Sequence, residues 1–241
     1  MRFAKIVALL CVASVLCLPV FGQTVDEILA KNFAARGGLE KIKAIQSYKM
    51  TGKMSVQGME LPFTLTSARP DLMRMDMSLQ GKSMVQAYDG ETAWMINPMA
   101  GGDPEKMPED QTKSFKEQGE FDGPLVDYKT KGHTVELLGK EEIEGTEAYK
   151  LKVTRSGGDV RTYYIDAKTF LELKSAGRQK MQGTDMEMET FFSDYKPVNG
   201  VLMAHSMESK VKGQRFMIMT LESVEANVAV DAASFKMPKK P

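Results

Sequence analysis

Histidines and close pairs of carboxylates are the residues of this chain that could do acid–base or metal chemistry. His133 and His205 are the only two histidines, and their separation fits neither the HExxH nor the HxH spacing of a metal site. His205 alternates with Met203 and Met207, which predicts an interior histidine. Carboxylate pairs such as Glu141-Glu142 are typical of a solvated strand face. With no G-x-S-x-G motif, P-loop or dinucleotide-binding fingerprint, the sequence predicts neither an enzyme nor a metal or cofactor site.

Methionine is more informative, since 18 of the 19 methionines follow residue 22. Many are spaced by two or four, which places each set on one face of a strand. Thioether side chains are unbranched and polarizable, so they adapt to partners of different shape. Each methionine taken singly also fits as core filler, but the sets favour an apolar container with an adaptable lining. The sets are Met73, Met75 and Met77; Met186 and Met188; Met203 and Met207; and Met217 and Met219.

The stretch 88–98, YDGETAWMINP, predicts one wall of that container. Asp89-Gly90 suits a tight hairpin turn because both residue types tolerate positive φ. Alternation then predicts a strand containing Trp94, the only tryptophan. Asn97-Pro98 ends the strand, since proline cannot donate a ladder hydrogen bond.

The remaining pattern predicts a mainly β domain. A capping box at Thr24 and apolar residues at helical spacing predict two short helices before residue 46. From Ser47 the period changes to two, and turn signals separate roughly eleven or twelve antiparallel strands, enough to curl one sheet into a barrel or half-barrel. Residues 99–132 interrupt the strands and predict a lid, with a loop at 100–108, a polar helix at 109–119 and a second, apolar helix at 123–128.

The first 22 residues predict a cleaved signal peptide and therefore a periplasmic protein. Arg2 and Lys5 precede an apolar run that ends in Val20-Phe21-Gly22, a small-residue cleavage pattern. Both cysteines lie inside this segment, and the residues before Cys17 do not fit a lipid-anchor signal. The predicted domain, 23–241, then has 30 basic and 32 acidic residues, a balance that argues against nucleic-acid binding.

Three patches of the chain resemble the LolA-type periplasmic lipoprotein carriers. Arg69-Pro70-Asp71-Leu72 is similar to the R-P-x-L of that family, 89–98 to its D-G-x-T-x-W-x-x-N-P segment, and 231–235 to its D-A-A-x-F. The resemblance implies a single half-open, strongly curved antiparallel barrel, closed by short helices over a hydrophobic cavity. It also implies that Arg69 latches the lid over the empty cavity.

The predicted function is that of a soluble periplasmic carrier, which binds acyl chains of lipoproteins or lipids and moves them toward the outer membrane. Expected partners are an inner-membrane donor and an outer-membrane acceptor, and the protein is expected to be a monomer without a cofactor. The alternative is a lipid-sensing or interaction module that uses the same cavity without transport. The predicted cavity lining is Met50, Met54, Phe63, Met73, Met75, Met77, Trp94, Ile96, Met217 and Met219.

Overall fold

The computed structural model describes residues 23–56, 58–181 and 184–239, so the predicted signal peptide, 1–22, lies outside the described residues. Thirteen strands occur within the described part. They are β1 (Ser47–Val56), β2 (Met59–Ala68), β3 (Leu72–Leu79), β4 (Lys82–Tyr88), β5 (Ala93–Ile96), β6 (Pro104–Lys106), β7 (Thr134–Ile143), β8 (Thr146–Thr154), β9 (Val160–Asp166), β10 (Glu172–Met181), β11 (Thr184–Val198), β12 (Val201–Val211) and β13 (Gln214–Ala226).

All thirteen strands form one antiparallel sheet in the order β6-β5-β4-β3-β2-β1-β13-β12-β11-β10-β9-β8-β7. Because β6 and β7 both remain edges, the curved sheet is a half-open barrel, and the predicted fold class is confirmed. The predicted strand number was too low. The added strand is β6, which pairs with β5 inside the stretch 100–108 that was predicted as a loop.

The described residues also form three α-helices, which are α1 (Val25–Ala35), α2 (Leu39–Ala44) and α3 (Glu109–Gln118). The predicted capping box at Thr24 begins α1. The prediction of a helix at 123–128 is wrong, because this stretch forms turns, with positive φ at Gly123 and Asp127 that an α-helix does not allow. No helix among the described residues is long and apolar enough to cross a membrane.

One face of the sheet, here called the inner face, carries the helices and the main core. Ile28 and Leu29 of α1 pack against β8 and β9, while Ile42 of α2 packs near β1 and β12. The strand register shows that these regions lie on the same face, because a row of directly opposed residues crosses six strands. The row is Tyr163, Ser175, Thr190, Ser209, Met217 and Val56.

Gly37 and Gly38, which follow α1, provide a test of backbone packing. Both have a positive φ, +114° and +107°, but a Cβ at Gly37 would overlap the carbonyl oxygen of Gly200, whereas one at Gly38 would meet nothing within 4 Å. Either alanine introduces backbone strain of about 1–2 kcal/mol. We expect Gly37→Ala to lower the free energy of unfolding by about 1–3 kcal/mol more than Gly38→Ala does, because of the overlap. Urea denaturation of both variants checks this, and equal losses would contradict the close approach.

Candidate functional site

Eleven apolar side chains from six strands form a continuous cluster on the inner face. Phe63, Met77 and Leu221 are buried, and the other eight members are partly exposed. Every member comes from a strand, and none comes from a described helix. We call this set the methionine face: Met50, Met54, Phe63, Leu65, Met75, Met77, Met84, Met207, Met219, Leu221 and Val224.

Strand register places five of the seven methionines of this face directly opposite another methionine. Met219 of β13 faces Met54 on β1 and Met207 on β12. On the other side of β1, Met77 faces both Phe63 and Met84. Directly opposed side chains in antiparallel strands have Cβ atoms about 4.5–5.5 Å apart. The packing of the whole cluster joins these opposed methionines into one contiguous apolar surface.

The structure brings together six of the ten predicted lining residues: Met50, Met54, Phe63, Met75, Met77 and Met219. Met73 is buried instead under the end of α3, where a Cβ at Gly119 would lie 3.4 Å from its Sδ and Cε atoms. Met217 lies on the inner face opposite Val56 and Ser209 but outside the cluster. Met84 and Met207 belong to the methionine face and were missing from the predicted set.

Trp94 and Ile96 lie on the opposite, outer face of the sheet, so assigning them to the same lining was wrong. Trp94 faces Ala87, which in turn faces Arg74, and Arg74 alternates with the inward methionines of β3. The Trp94 side chain is 1% exposed, and its Nε1–H donates to the carbonyl oxygen of Phe235 at 2.7 Å. Trp94 therefore helps to hold the C-terminal 3-10 helix, Ala232–Phe235, against the outer face.

Arg69 joins the C-terminal end of α2 to the connection between α3 and β7. Its two terminal nitrogens donate to the Asp122 carboxylate at 2.5 and 2.6 Å, and its Nε donates to the carbonyl oxygen of Ile45 at 2.7 Å. The side chains of Arg69 and Asp122 are 24% and 14% exposed. This partly shielded, bidentate pair is stronger than a surface ion pair.

The aromatic ring next to this pair lies at the border of the methionine face. Phe121 stacks on Tyr48 with ring centres 5.3 Å apart, and the Arg69 guanidinium lies 4.7 Å from the centre of the Phe121 ring. Burial raises the pKa of Tyr48 to about 12. Met50 packs against this cluster as well as against the methionine face. The connection therefore covers apolar surface that continues the methionine face.

A charged cavity of about 810 Å³ lies beside the Arg69–Asp122 pair. Its walls come from α3, the connection that follows, the turn between β2 and β3, and the turn between β8 and β9. Glu120 anchors one wall, because it forms ion pairs with Lys131 at 2.6 Å and with Arg155 at 2.5 Å. Most of the lining residues are charged, and the cavity contains no member of the methionine face.

Burial moves three titratable groups of this cavity toward their neutral forms. It raises the pKa of Asp71 and of Glu117 and lowers the pKa of His133. The Nδ1 atom of His133 accepts a hydrogen bond from the backbone N–H of Ser156 at 3.1 Å. Neutral His133 therefore has its proton on Nε2.

A smaller, more apolar groove of about 510 Å³ runs between α1 and the stretch 125–130. Leu29, Phe33, Leu39 and Leu125 line its apolar part. It also contains no member of the methionine face. The methionine face is thus a partly exposed surface on the inner face of the sheet, separate from this groove and from the charged cavity.

The other histidine and the acidic residues show no metal geometry in the part of the chain that the structure describes. His205 is buried, and its Nδ1 atom lies 2.9 Å from the carbonyl oxygen of Met203, so this side chain is a hydrogen-bonded interior residue as predicted. Among the described residues, no group of three His, Cys, Asp or Glu side chains could hold a metal ion.

Solved structures of other proteins share this fold over almost their whole length. A DUF1329 family protein from Desulfovibrio piger has a TM-score of 0.61 and 14% identity, over 89% of this chain and 98% of that chain. A LolA superfamily protein from Nitrosomonas europaea has a TM-score of 0.60 and 12% identity, over 89% of this chain and 98% of that chain. A domain from Vibrio parahaemolyticus, assigned to outer membrane lipoprotein sorting, has a TM-score of 0.59 and 13% identity, over 88% and 97%. By sequence, no family model and no curated protein matches this chain.

Proposed function

We propose that this protein, which has a LolA-like fold, binds the acyl chains of a lipid or lipoprotein on its methionine face and carries them as a soluble protein of the periplasm. One observation carries the proposal. The cluster of eleven apolar side chains is partly exposed on the inner face, and strands alone supply its members. A contiguous, partly exposed apolar surface on a folded protein supports the assignment of a binding site there.

The energetics of an acyl ligand are adequate for such a role. Burial of an acyl chain contributes about 0.8 kcal/mol per methylene, or on the order of 10 kcal/mol for about fourteen methylenes. Association costs an estimated 4–15 kcal/mol of translational and rotational freedom. At the lower end of that cost, a surplus of about 6 kcal/mol remains, which supports reversible binding rather than permanent retention.

The cargo and its direction of movement are inferred from another protein that has the same fold. One protein of the same fold is assigned to outer membrane lipoprotein sorting, which supports an acylated cargo received from an inner-membrane donor and delivered to an outer-membrane acceptor. The side chains of the methionine face are apolar, which supports recognition of the hydrocarbon rather than of the headgroup there.

Lipid sensing without transport is the second candidate. Its support is the single bidentate contact between Arg69 and Asp122. This contact holds the connection at the border of the methionine face, where a bound ligand could displace it. A sensor would expose that connection to a partner protein instead of passing the ligand on.

Lipid extraction and transfer assays separate these functions. Mass spectrometry of the purified protein should find about one acylated lipid per chain, and loaded protein should pass labelled lipid to acceptor vesicles. Binding without transfer to vesicles or to envelope membranes would favour the sensor. Absence of both bound lipid and lipid uptake would contradict the proposal.

A further inference from the structure

Methionine is concentrated on the partly exposed part of the inner face. Seven of the eleven members of the methionine face are methionines, and six of these are partly exposed. The cluster that α1 covers on β8 and β9 contains no methionine among its described members, which are Leu, Ile, Val, Tyr, Phe and Ala. The thioethers therefore lie where solvent and ligand both reach, not where packing is tightest.

An apolar binding surface by itself does not require sulfur. Valine and isoleucine are preferred in strands, and they offer hydrocarbon surface without any chemical reactivity. A thioether adds one property that these residues lack, since it is oxidised to a sulfoxide and enzymes reduce it back. Resting on the proposed acyl-binding function, we infer that the methionine face is a site of reversible oxidation by peroxides, and that oxidation there releases the acyl ligand.

The reaction balances with the oxidant alone. A sulfur lone pair attacks one oxygen of hydrogen peroxide and the O–O bond breaks. The departing hydroxide takes up the proton released from the transferred oxygen, so the products are the sulfoxide and water. Sulfur is oxidised by two electrons, and the peroxide is reduced by two. The row Met54, Met219 and Met207, opposed on three adjacent strands, is the centre of this site.

Oxidation should destabilise the ligand-bound protein more than the empty protein. In the empty protein the sulfoxide oxygen is hydrated, because these side chains are partly exposed. Under an acyl chain the same oxygen loses its water, and the residues directly opposite Met54, Met207 and Met219 are apolar, namely Leu61, Phe192 and one another. A covered acceptor without a donor is penalised. Affinity should therefore fall about tenfold or more for each covered sulfoxide, while the fold is retained.

The experiment follows each methionine separately. The full-length protein is treated with hydrogen peroxide, either empty or loaded with a fatty acid, and peptide mass spectrometry measures oxidation at each position. Met99, which is 68% exposed and outside the methionine face, is the internal control. Affinity for the fatty acid is measured before oxidation, after oxidation, and after repair with methionine sulfoxide reductases. A triple variant, Met54→Leu, Met207→Leu and Met219→Leu, is compared with itself before and after peroxide.

The expected result has three parts. The ligand protects Met54, Met207 and Met219 but not Met99. Oxidation of the empty protein raises the Kd at least tenfold, and repair restores it. In the triple leucine variant, peroxide raises the Kd by a smaller factor than in the wild type. The inference is overturned if oxidised protein binds as tightly as reduced protein, if the three methionines resist peroxide that oxidises Met99, or if the unfolding transition is lost with binding. If reduced protein binds no acyl ligand, the proposed function itself fails.

Discussion

Binding of a neutral long-chain alcohol at pH 7 should weaken several-hundredfold in a Met219→Glu variant. Met219 lies between Met54 and Met207 in the middle of the methionine face, so a bound chain would cover the new carboxylate. The variant can bind only after that carboxylate takes up a proton. From an ordinary pKa near 4.3, this costs about 3.7 kcal/mol at pH 7, or about 500-fold in affinity. At pH 5 the same cost falls to about 1 kcal/mol, or roughly fivefold.

Titration of the alcohol at both pH values checks this expectation, since the ligand itself does not ionise. Met99→Glu is the matched control because it makes the same chemical change at a side chain that is 68% exposed and outside the methionine face. That control should bind like the wild type at both pH values. A folded Met219→Glu protein with wild-type affinity at pH 7 would show that the acyl chain binds elsewhere.

The second large effect is expected from Arg69→Leu, which removes the bidentate contact with Asp122. Each charge-assisted hydrogen bond is worth about 1.5–3 kcal/mol, so losing one such contribution shifts the closed-to-open equilibrium of the connection by about tenfold to a hundredfold. Opening uncovers Tyr48 and its neighbours and extends the methionine face beyond Met50. A ligand that prefers the longer surface should then bind more tightly and leave more slowly.

Asp122→Asn separates this contact from the others that Arg69 makes. It leaves the hydrogen bond from Arg69 to the Ile45 carbonyl in place, so stability of α2 is preserved while the ion pair is lost. Arg69→Lys keeps the charge but loses the planar, bidentate guanidinium, so its off-rate and cleavage should lie between those of the wild type and Arg69→Leu. Lipid off-rates and protease cleavage within 119–133 measure the effect. Equal values in wild type, Arg69→Leu and Asp122→Asn would mean that Arg69 does not latch the connection.

The strand pattern predicted the fold well because its cause is local. Alternation along β1 and the turn signals between strands are properties of a few neighbouring residues, and they suffice for an antiparallel sheet. β6 was missed because a three-residue strand that begins at Pro104 shows no alternation. The helix predicted at 123–128 failed because Gly123 and Asp127 adopt positive φ, which apolar spacing alone does not reveal.

The sequence predicted less well which face of the sheet each strand residue occupies. β5 has only four residues, with Trp94 and Met95 on opposite sides. The alternation along so short a strand does not show which of the two lies on the inner face. What decides between them is the C-terminal segment that covers Trp94, since Phe235 accepts its hydrogen bond from 141 positions away.

Arg69 was found through resemblance, whereas its partner was not found at all. Asp122 stands in an ordinary polar turn sequence, Phe121-Asp122-Gly123, and no local signal relates it to an arginine more than fifty positions earlier. The same holds for Glu120 and its two basic partners, Lys131 and Arg155. Contacts of this kind depend on how the connection crosses the open side of the sheet, which only the tertiary structure shows.

The pairing of the first strand with the last has a consequence for folding kinetics. Strands β2 to β6 and β7 to β12 each pair with a neighbour in sequence, but β1 pairs with β13, roughly 160–180 residues away. Closing such a long loop is slow, so this joint should form after the two local meanders. Met54 and Met219 lie on opposite sides of the joint. The methionine face is therefore assembled in the last step, and a stopped-flow experiment that follows the binding of a hydrophobic dye during refolding would report completion of the whole sheet.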